Sequence, residues 1–414
     1  MCEHMTQAPP PHPAEQRAPI SLGEFVAMVA ALMALGALGV DAMLPALPEI
    51  GAQLGAPTEN AQQYVIAIYL IGLGVGQLIH GPLSDHFGRR PVMLASLGIY
   101  FCCNFTCAVA GSFTLLLVAR FASAVAIAAT RVVTVAIVRD CYSGRPMARV
   151  MSLAAMVFMI APVLAPTLGQ GIMLFGSWRL IFWAIAGLTA LVMLWYGRRL
   201  PETLDRREKR PYSFAATLQG ARQTLGDRWS TGYMLASTVM QGALFGYITS
   251  VQQVVAEVFH RPKLLNVVFA STAGMMAVSN LFNSRVVMRV GSRILSQSAL
   301  VALIGVALVA LMISLSGHEN LLVFIVLQGL MMACFSLASS NFSSLAMINM
   351  GTIAGTASSI QGFCFITGGA LLGAAIGQSF AGTTVPMHVG FALAGVAAFV
   401  IVAITERGRL FRPA

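Results

Sequence analysis

Runs of roughly 20 apolar residues recur along almost the whole of this chain, and that recurrence limits its fold more tightly than any other feature. A hydrocarbon layer about 30 Å thick is crossed by a helix of that length. Six such spans fall at about 25–47, 61–83, 92–110, 113–137, 150–174 and 179–197, and six more at about 230–254, 264–286, 294–315, 321–345, 353–379 and 388–405. With 57% hydrophobic and 10% charged residues, the chain has too little polar surface to clothe a soluble globule of 414 residues. The expectation is an all-α integral membrane protein of twelve transmembrane helices.

The polar remainder sets the topology. Residues 1–21, with Pro9, Pro10, Pro11 and Pro13, read as a disordered tail, and the first apolar run is too long for a cleavable signal. Residues 198–229 form a linker rich in charge, with Arg198, Arg199, Arg206, Arg207, Lys209 and Arg210 among Glu202, Asp205 and Glu208. The spans therefore divide into halves, 22–197 and 230–406, followed by a short tail at 407–414. If both termini are cytoplasmic, only Arg179, Arg261 and Lys263 fall outside, whereas Arg89, Arg90, Arg139, Arg145, Arg149, the linker set, Arg285, Arg289 and Arg293 fall inside. The net charge of +10 thus reports membrane orientation and not nucleic-acid binding. The seven cysteines show neither a pairing pattern nor zinc spacing.

Between the second and third spans stands Gly81-Pro82-Leu83-Ser84-Asp85-His86-Phe87-Gly88-Arg89-Arg90, which reads as a short charged hairpin at the membrane surface. It resembles the signature G-x-L-(S/A)-D-x-x-G-R-(R/K) of the major facilitator superfamily, with every signature position filled. That resemblance implies two six-helix halves with a central cytoplasmic loop that rock about a common site, and a gating role for Gly81, Asp85, Gly88, Arg89 and Arg90. A degenerate second copy lies at Asn283-Ser284-Arg285 and Arg289 to Arg293, without the aspartate.

An ionisable residue inside a bilayer is costly and by default a functional candidate. Of the fifteen acidic residues, only Asp41 lies well inside a span on this reading, and its basic counterparts are Arg120 and Arg131. Asp41 should lie roughly 9 Å, and Arg120 roughly 10 Å, below the outer ends of their helices. Paired, they would form a proton switch, in which protonation of Asp41 releases the arginine. The alternative is a solvated Asp41 near the outer interface. Arg120 is the arginine of a pattern similar to the superfamily's L-x-x-x-R-x-x-Q-G, here running from Leu116 to Ala124 with Ser123 and Ala124 in the last two places. Arg131 either snorkels to the inner interface or lines the substrate cavity.

On the fifth span Ala161, Pro162, Ala165, Pro166, Gly169 and Gln170 resemble the antiporter signature G-x-x-x-G-P-x-x-G-G, which in that family marks proton-exchanging exporters. Gly72 and Gly76 on the second span, and Gly369, Gly373 and Gly377 on the eleventh, form small-residue stripes expected to meet between the halves; packing within each half is the alternative. Leu44-Pro45-Ala46-Leu47-Pro48 after Asp41, Ile137-Val138-Arg139-Asp140, Gly176-Ser177-Trp178-Arg179, Leu200-Pro201-Glu202-Thr203-Leu204 and Gly355-Thr356-Ala357-Ser358-Ser359 resemble the bicyclomycin and chloramphenicol resistance (Bcr/CflA) branch of drug:proton antiporters.

What that resemblance implies is a monomeric secondary transporter of the bacterial inner membrane. It would exchange small amphipathic compounds for protons, with the proton gradient and no cofactor as its energy source. Phe158, Met159, Met240, Phe245 and Phe363 are candidates for a compliant substrate surface. Export of an amino acid or other metabolite, or a sensor without flux, are the alternatives. An ATP-driven pump or an enzyme is disfavoured, because neither of the two lysines, Lys209 and Lys263, follows a glycine-rich phosphate loop, and no metal spacing or serine nucleophile motif is present.

Overall fold

The computed structural model describes residues 20–142, 144–204 and 214–412; the expected N-terminal tail up to residue 19 lies outside these. The chain enters the bundle at α1 (Leu22–Asp41), whose N-cap Ser21 accepts a hydrogen bond from the Glu24 amide at 3.3 Å. Helix α1 stops at Asp41, the chain makes a 3₁₀ turn at Leu44–Ala46, and α2 (Leu47–Leu54) continues the same apolar run. Pro45 and Pro48 cause the break, since each stands in the first turn of its element, where a missing N–H costs nothing.

The remaining helices of the first half are α3 (Tyr64–Phe87), α4 (Arg89–Ala108), α5 (Phe113–Cys141), α6 (Gly144–Met173) and α7 (Arg179–Arg199). Within the linker, α8 (Phe214–Gly226) is a further helix, which the charged composition did not suggest. The second half holds α9 (Arg228–Gln253), extended by a π turn at Val254–Val258, then α10 (Leu265–Val290), α11 (Ser292–Leu315) and α12 (Leu321–Ala346). Its last two spans are α13 (Ala354–Phe363) joined to α14 (Gly369–Gln378) through a π turn at Cys364–Gly368, and α15 (Val385–Thr405). Among the described residues, eleven helical runs are long and apolar enough to cross a membrane, and the thirty-residue α6 lies beside α1 and α10.

The packing repeats itself between the halves. In the first, α1 packs on α6, α3 on α5, and α4 on both α5 and α7; in the second, α9 packs on α14, α10 on α12, and α11 on both α12 and α15. Position for position these are the same pairings, as expected of two copies of one six-helix unit. The seam between the halves is also symmetric, with α3 against α13 and α14, and α6 against α10.

Of the stripe glycines, Gly377 lies on that seam and the other four do not. A Cβ at Gly72 would meet Phe121 and Ala124, and one at Gly76 would meet Val125 and Ala128, all on α5. Gly369 faces Gln241, and Gly373 faces Phe245 and Gly246, on α9. Those four glycines therefore serve close backbone approach between helices inside each half. The seam beside α3 sets glycines against polar neighbours: Gly74 against Thr367, Gly362 against Gln77, and Gly377, the last of its stripe, against Gln63.

The glycine-rich hairpin is also shorter than its sequence implied. Helix α3 continues through Pro82 to Phe87, and the turn is Gly88 alone, at φ +110°. A Cβ there would collide with the Glu202 carboxylate, so glycine is required both by conformation and by space. Gly291, at φ +88°, makes the same turn between α10 and α11.

Candidate functional site

Asp41 is the last residue of α1 and is 4% exposed. Because the apolar run continues to Leu54, the carboxylate lies about 20 Å of helical rise from the end of its span, not the shallow depth expected. Its Oδ1 has no hydrogen-bond partner. It lies within electrostatic reach of the Tyr247 hydroxyl on α9, a residue of the other half that contacts Thr272 Oγ1 at 3.1 Å. A buried carboxylate with a bare oxygen inside a membrane-spanning bundle is a place where a proton can be held and released.

The expected Asp41–Arg120 ion pair is not formed among the described residues. Arg120 lies about 10 Å into α5 from Phe113, nearer the end of its span than Asp41 is. It is fully buried inside the first half, with its guanidinium 3.8 Å from the Tyr69 ring centroid and its Nε donating to the Val65 carbonyl at 3.3 Å. Both terminal nitrogens lack hydrogen-bond partners, so the aromatic face is the main compensation for the buried charge. The Tyr69 hydroxyl is 3.5 Å from that of Tyr100, and both stand over Gly39, where a Cβ would displace them. Arg131, in the C-terminal half of α5, is exposed.

The charged hairpin is a clasp within the first half. Arg89, 3% exposed, pairs with Asp85, donates from Nε to Asp140 Oδ2 at 3.0 Å and from a terminal nitrogen to Ser84 Oγ at 2.9 Å. Glu202, just past α7, accepts the backbone N–H groups of Arg89 at 2.9 Å and Arg90 at 3.1 Å, capping α4 from a distance in sequence. Arg90 donates to the Gly197 carbonyl at 2.6 Å, and Thr203 to Asp140 at 3.3 Å. Gly81 is the member of the motif that reaches the seam, where a Cβ would stand 3.6 Å from Ser359 of α13. The second half has its own clasp: Glu406, at the end of α15, lies 3.5 Å from Arg293 Nε and accepts from the Tyr233 hydroxyl at 2.5 Å. The aspartate missing from the degenerate copy is thus replaced by a carboxylate from the far end of the half.

On α6, Ala165 and Pro166 are buried, and Gly169 backs directly onto the Ala42 carbonyl and Pro45, so the antiporter motif is the surface on which the broken first span rests. The side chains of Phe158, Met159, Ala161 and Pro162 fall outside the described residues. Met240, 0% exposed, and Phe245, packed against Gly373, belong to the core of the second half and offer no open surface in this state, whereas Phe363 is half-buried.

Away from the termini, at what we term the distal face, amides bridge the halves. Asn60 donates to the Gln378 and Phe380 carbonyls at 3.1 and 2.9 Å, Gln378 donates back to the Asn60 carbonyl at 2.8 Å, and Gln253 bonds both Asn60, at 3.1 Å, and Gln63. Asn266 donates to Gln170 at 2.8 Å across the α6–α10 seam. Beside it lies a cavity of about 290 Å³ lined by Pro45, Gln170, Met173, Gln252 and Lys263, among others. Asp85 is the clasp carboxylate that the sequence singles out; the parts of Asp140, Glu202 and Glu406, and the amide latch, do not show there, because sequence spacing does not tell which loop residues meet. Glutamines and asparagines at span ends were the available signal.

The Major Facilitator Superfamily profile matches residues 29–374. The chain is 30% identical over 362 residues to an uncharacterized MFS-type transporter, YdgK, of Bacillus subtilis, covering 86% of this chain and 89% of that one. It is 28% identical over 380 residues to a bicyclomycin resistance protein homolog of Haemophilus influenzae, covering 88% and 91%. Over 263 residues, 62% of this chain and 65% of the relative, it is 30% identical to the multidrug resistance protein MdtL of Escherichia fergusonii. The crystal structure of the human organic anion transporter MFSD10 superposes with a TM-score of 0.66 at 18% identity, covering 92% of this chain and all of that one, which speaks for the fold. With the repeated six-helix packing and a family match over most of its length, this chain belongs to the major facilitator superfamily, a family of secondary transporters and not enzymes.

Proposed function

We propose that this protein exports small amphipathic compounds in exchange for protons by alternating access in a bacterial cytoplasmic membrane. The observation that carries the reading is Asp41: a carboxylate buried at the break of the first span, with an oxygen free of partners. A proton arriving from the distal side forms the O–H of the acid; when the halves rock, that bond breaks and the proton passes to water on the terminal side. The relatives named for bicyclomycin and multidrug resistance support a drug-like substrate, and the arginines of the terminal face favour a cytoplasmic location for that face.

In this reading Arg120 tunes the interior of the first half, Arg131 lines the cavity, and the Gly81 to Arg90 segment steadies one end of the rocking body. The test uses purified protein in proteoliposomes under a proton gradient. Compounds are chosen from a resistance screen in an efflux-deficient host. Asp41→Asn should bring compound-driven proton movement to background while compound binding persists. Proton movement at the wild-type rate in that variant would remove Asp41 from the mechanism.

A further inference from the structure

The second half contains a buried ionisable pair that plays no part in the scheme above. His388, in the first turn of α15, is 0% exposed. Its Nε2 lies 2.9 Å from Oε1 of Glu319, whose side chain is 6% exposed in the turn before α12. The other carboxylate oxygen accepts from the Thr384 hydroxyl, and Ser314 Oγ, at the end of α11, is 2.6 Å from Thr384 Oγ1. The ring of Phe324 on α12 lies 6.2 Å from the imidazole and is itself against Phe259, beyond the end of α9. His318, next to Glu319 in the chain, points elsewhere, to Ser316. Among the described residues, Glu319 is the one charged group in contact with His388 from any of the elements packed around it.

The hydrogen bonds assign the proton inventory. With Oε2 accepting from Thr384, the tautomer with hydrogen on Nε2 donates to Oε1 of a carboxylate. That leaves Nδ1, which is buried and has no partner. Histidine is the side chain whose charge changes in the physiological range, and an ionisable pair inside a membrane protein is rarely idle.

We propose that His388 and Glu319 form a second proton-binding site, located in the C-terminal half, with the imidazole Nδ1 as the atom that takes up the proton. Loading forms an N–H bond at Nδ1 from a hydronium or water-borne proton, converting a carboxylate beside a neutral ring into a charge-balanced imidazolium–carboxylate pair. Unloading breaks the Nδ1–H bond, returns the proton to water and leaves the carboxylate with the same hydrogen bonds but beside a neutral ring. Since the pair joins the ends of α11, α12 and α15, occupancy changes how firmly those ends are held together.

The site is tested without reference to transport, by titrating purified protein in detergent between about pH 8 and pH 5 and subtracting the curve of His388→Gln. We expect the variant to take up about one proton fewer over that interval. Superimposable curves, from variant protein that elutes as the wild type does on size exclusion, would overturn the proposal. If His388→Gln does not fold, Glu319→Gln keeps the imidazole and removes its counter-charge; uptake over the same interval should then fall, and an unchanged curve would overturn the proposal equally. Neither outcome depends on Asp41, so failure here leaves the export reading standing.

Discussion

The terminal face of each half is held by ions, whereas the distal face, where the two halves meet, is held by neutral amides. Arg89 with Asp85 and Asp140, and Arg293 with Glu406, join helices that belong to one half. Asn60, Gln63, Gln253 and Gln378 join helices of different halves. The difference follows from what each contact has to survive. A contact inside a rigid body can be strong and buried, because it is not broken during a cycle. Under the proposed alternating access, a contact across the seam would be broken each time the halves rock, so bonds worth about 1 kcal/mol each suit it, whereas a desolvated ion pair would leave charges stranded.

The largest effect should come from breaking the clasp. Arg89→Ala strands Asp140, whose side chain is 10% exposed, and leaves Ser84 and Asp85 without their donor. Removing one partner of such a buried set costs about 3 kcal/mol or more. The thermal unfolding midpoint of detergent-solubilised protein should fall clearly. Arg89→Lys should recover only part of the loss, since a point charge cannot serve three acceptors as a planar fork does. An unchanged midpoint in Arg89→Ala would mean that the clasp does not hold the first half together.

The latch should behave in the opposite way, with little change in stability and a marked change in conformation. Asn60→Ala removes three bonds across the seam, which water partly replaces, for a net of about 2 kcal/mol. That is on the order of thirtyfold in the ratio of open to closed distal faces. A cysteine introduced at Thr249, 1% exposed and against Gly377, in a background without native cysteines, should react correspondingly faster with an impermeant maleimide. Equal labelling rates would show that the amides fill space without controlling access.

How much of this was legible in the sequence depends on the range of the interaction. The spans were readable because burial in a bilayer requires a continuous apolar run, and Gly88 was readable because its motif is local. Asp41 and Arg120 can be singled out as charges in apolar runs, but their pairing cannot be inferred: the depth of Asp41 counted to Leu47 is too small, because the helix resumes and ends at Leu54. The glycine stripes are visible in the sequence, yet a stripe does not name its partner: Gly377 meets Gln63 of the other half, whereas the rest pack on α5 and α9. His388 passed unnoticed because its carboxylate lies outside the helices, in the turn before α12.

The smallest effect separates the two clasps from one another. Glu202 is exposed and caps α4 through backbone N–H groups, whereas Glu406 is 5% exposed and meets an arginine and a tyrosine. Glu202→Gln keeps one acceptor and loses the charge beside the helix N-terminus, a change of about 0.5 kcal/mol at low ionic strength. Because that contribution is exposed, salt should erase it: the small gap in unfolding midpoint between wild type and Glu202→Gln should close as ionic strength rises past about 0.1 M, where screening acts within about 10 Å. The deeper Glu406→Gln should keep its deficit in the same salt series, since its partners are shielded from solvent. If both deficits vanished together, the two halves would share one surface-type clasp, and the distinction between a helix cap in the first half and a buried ion pair in the second would fall.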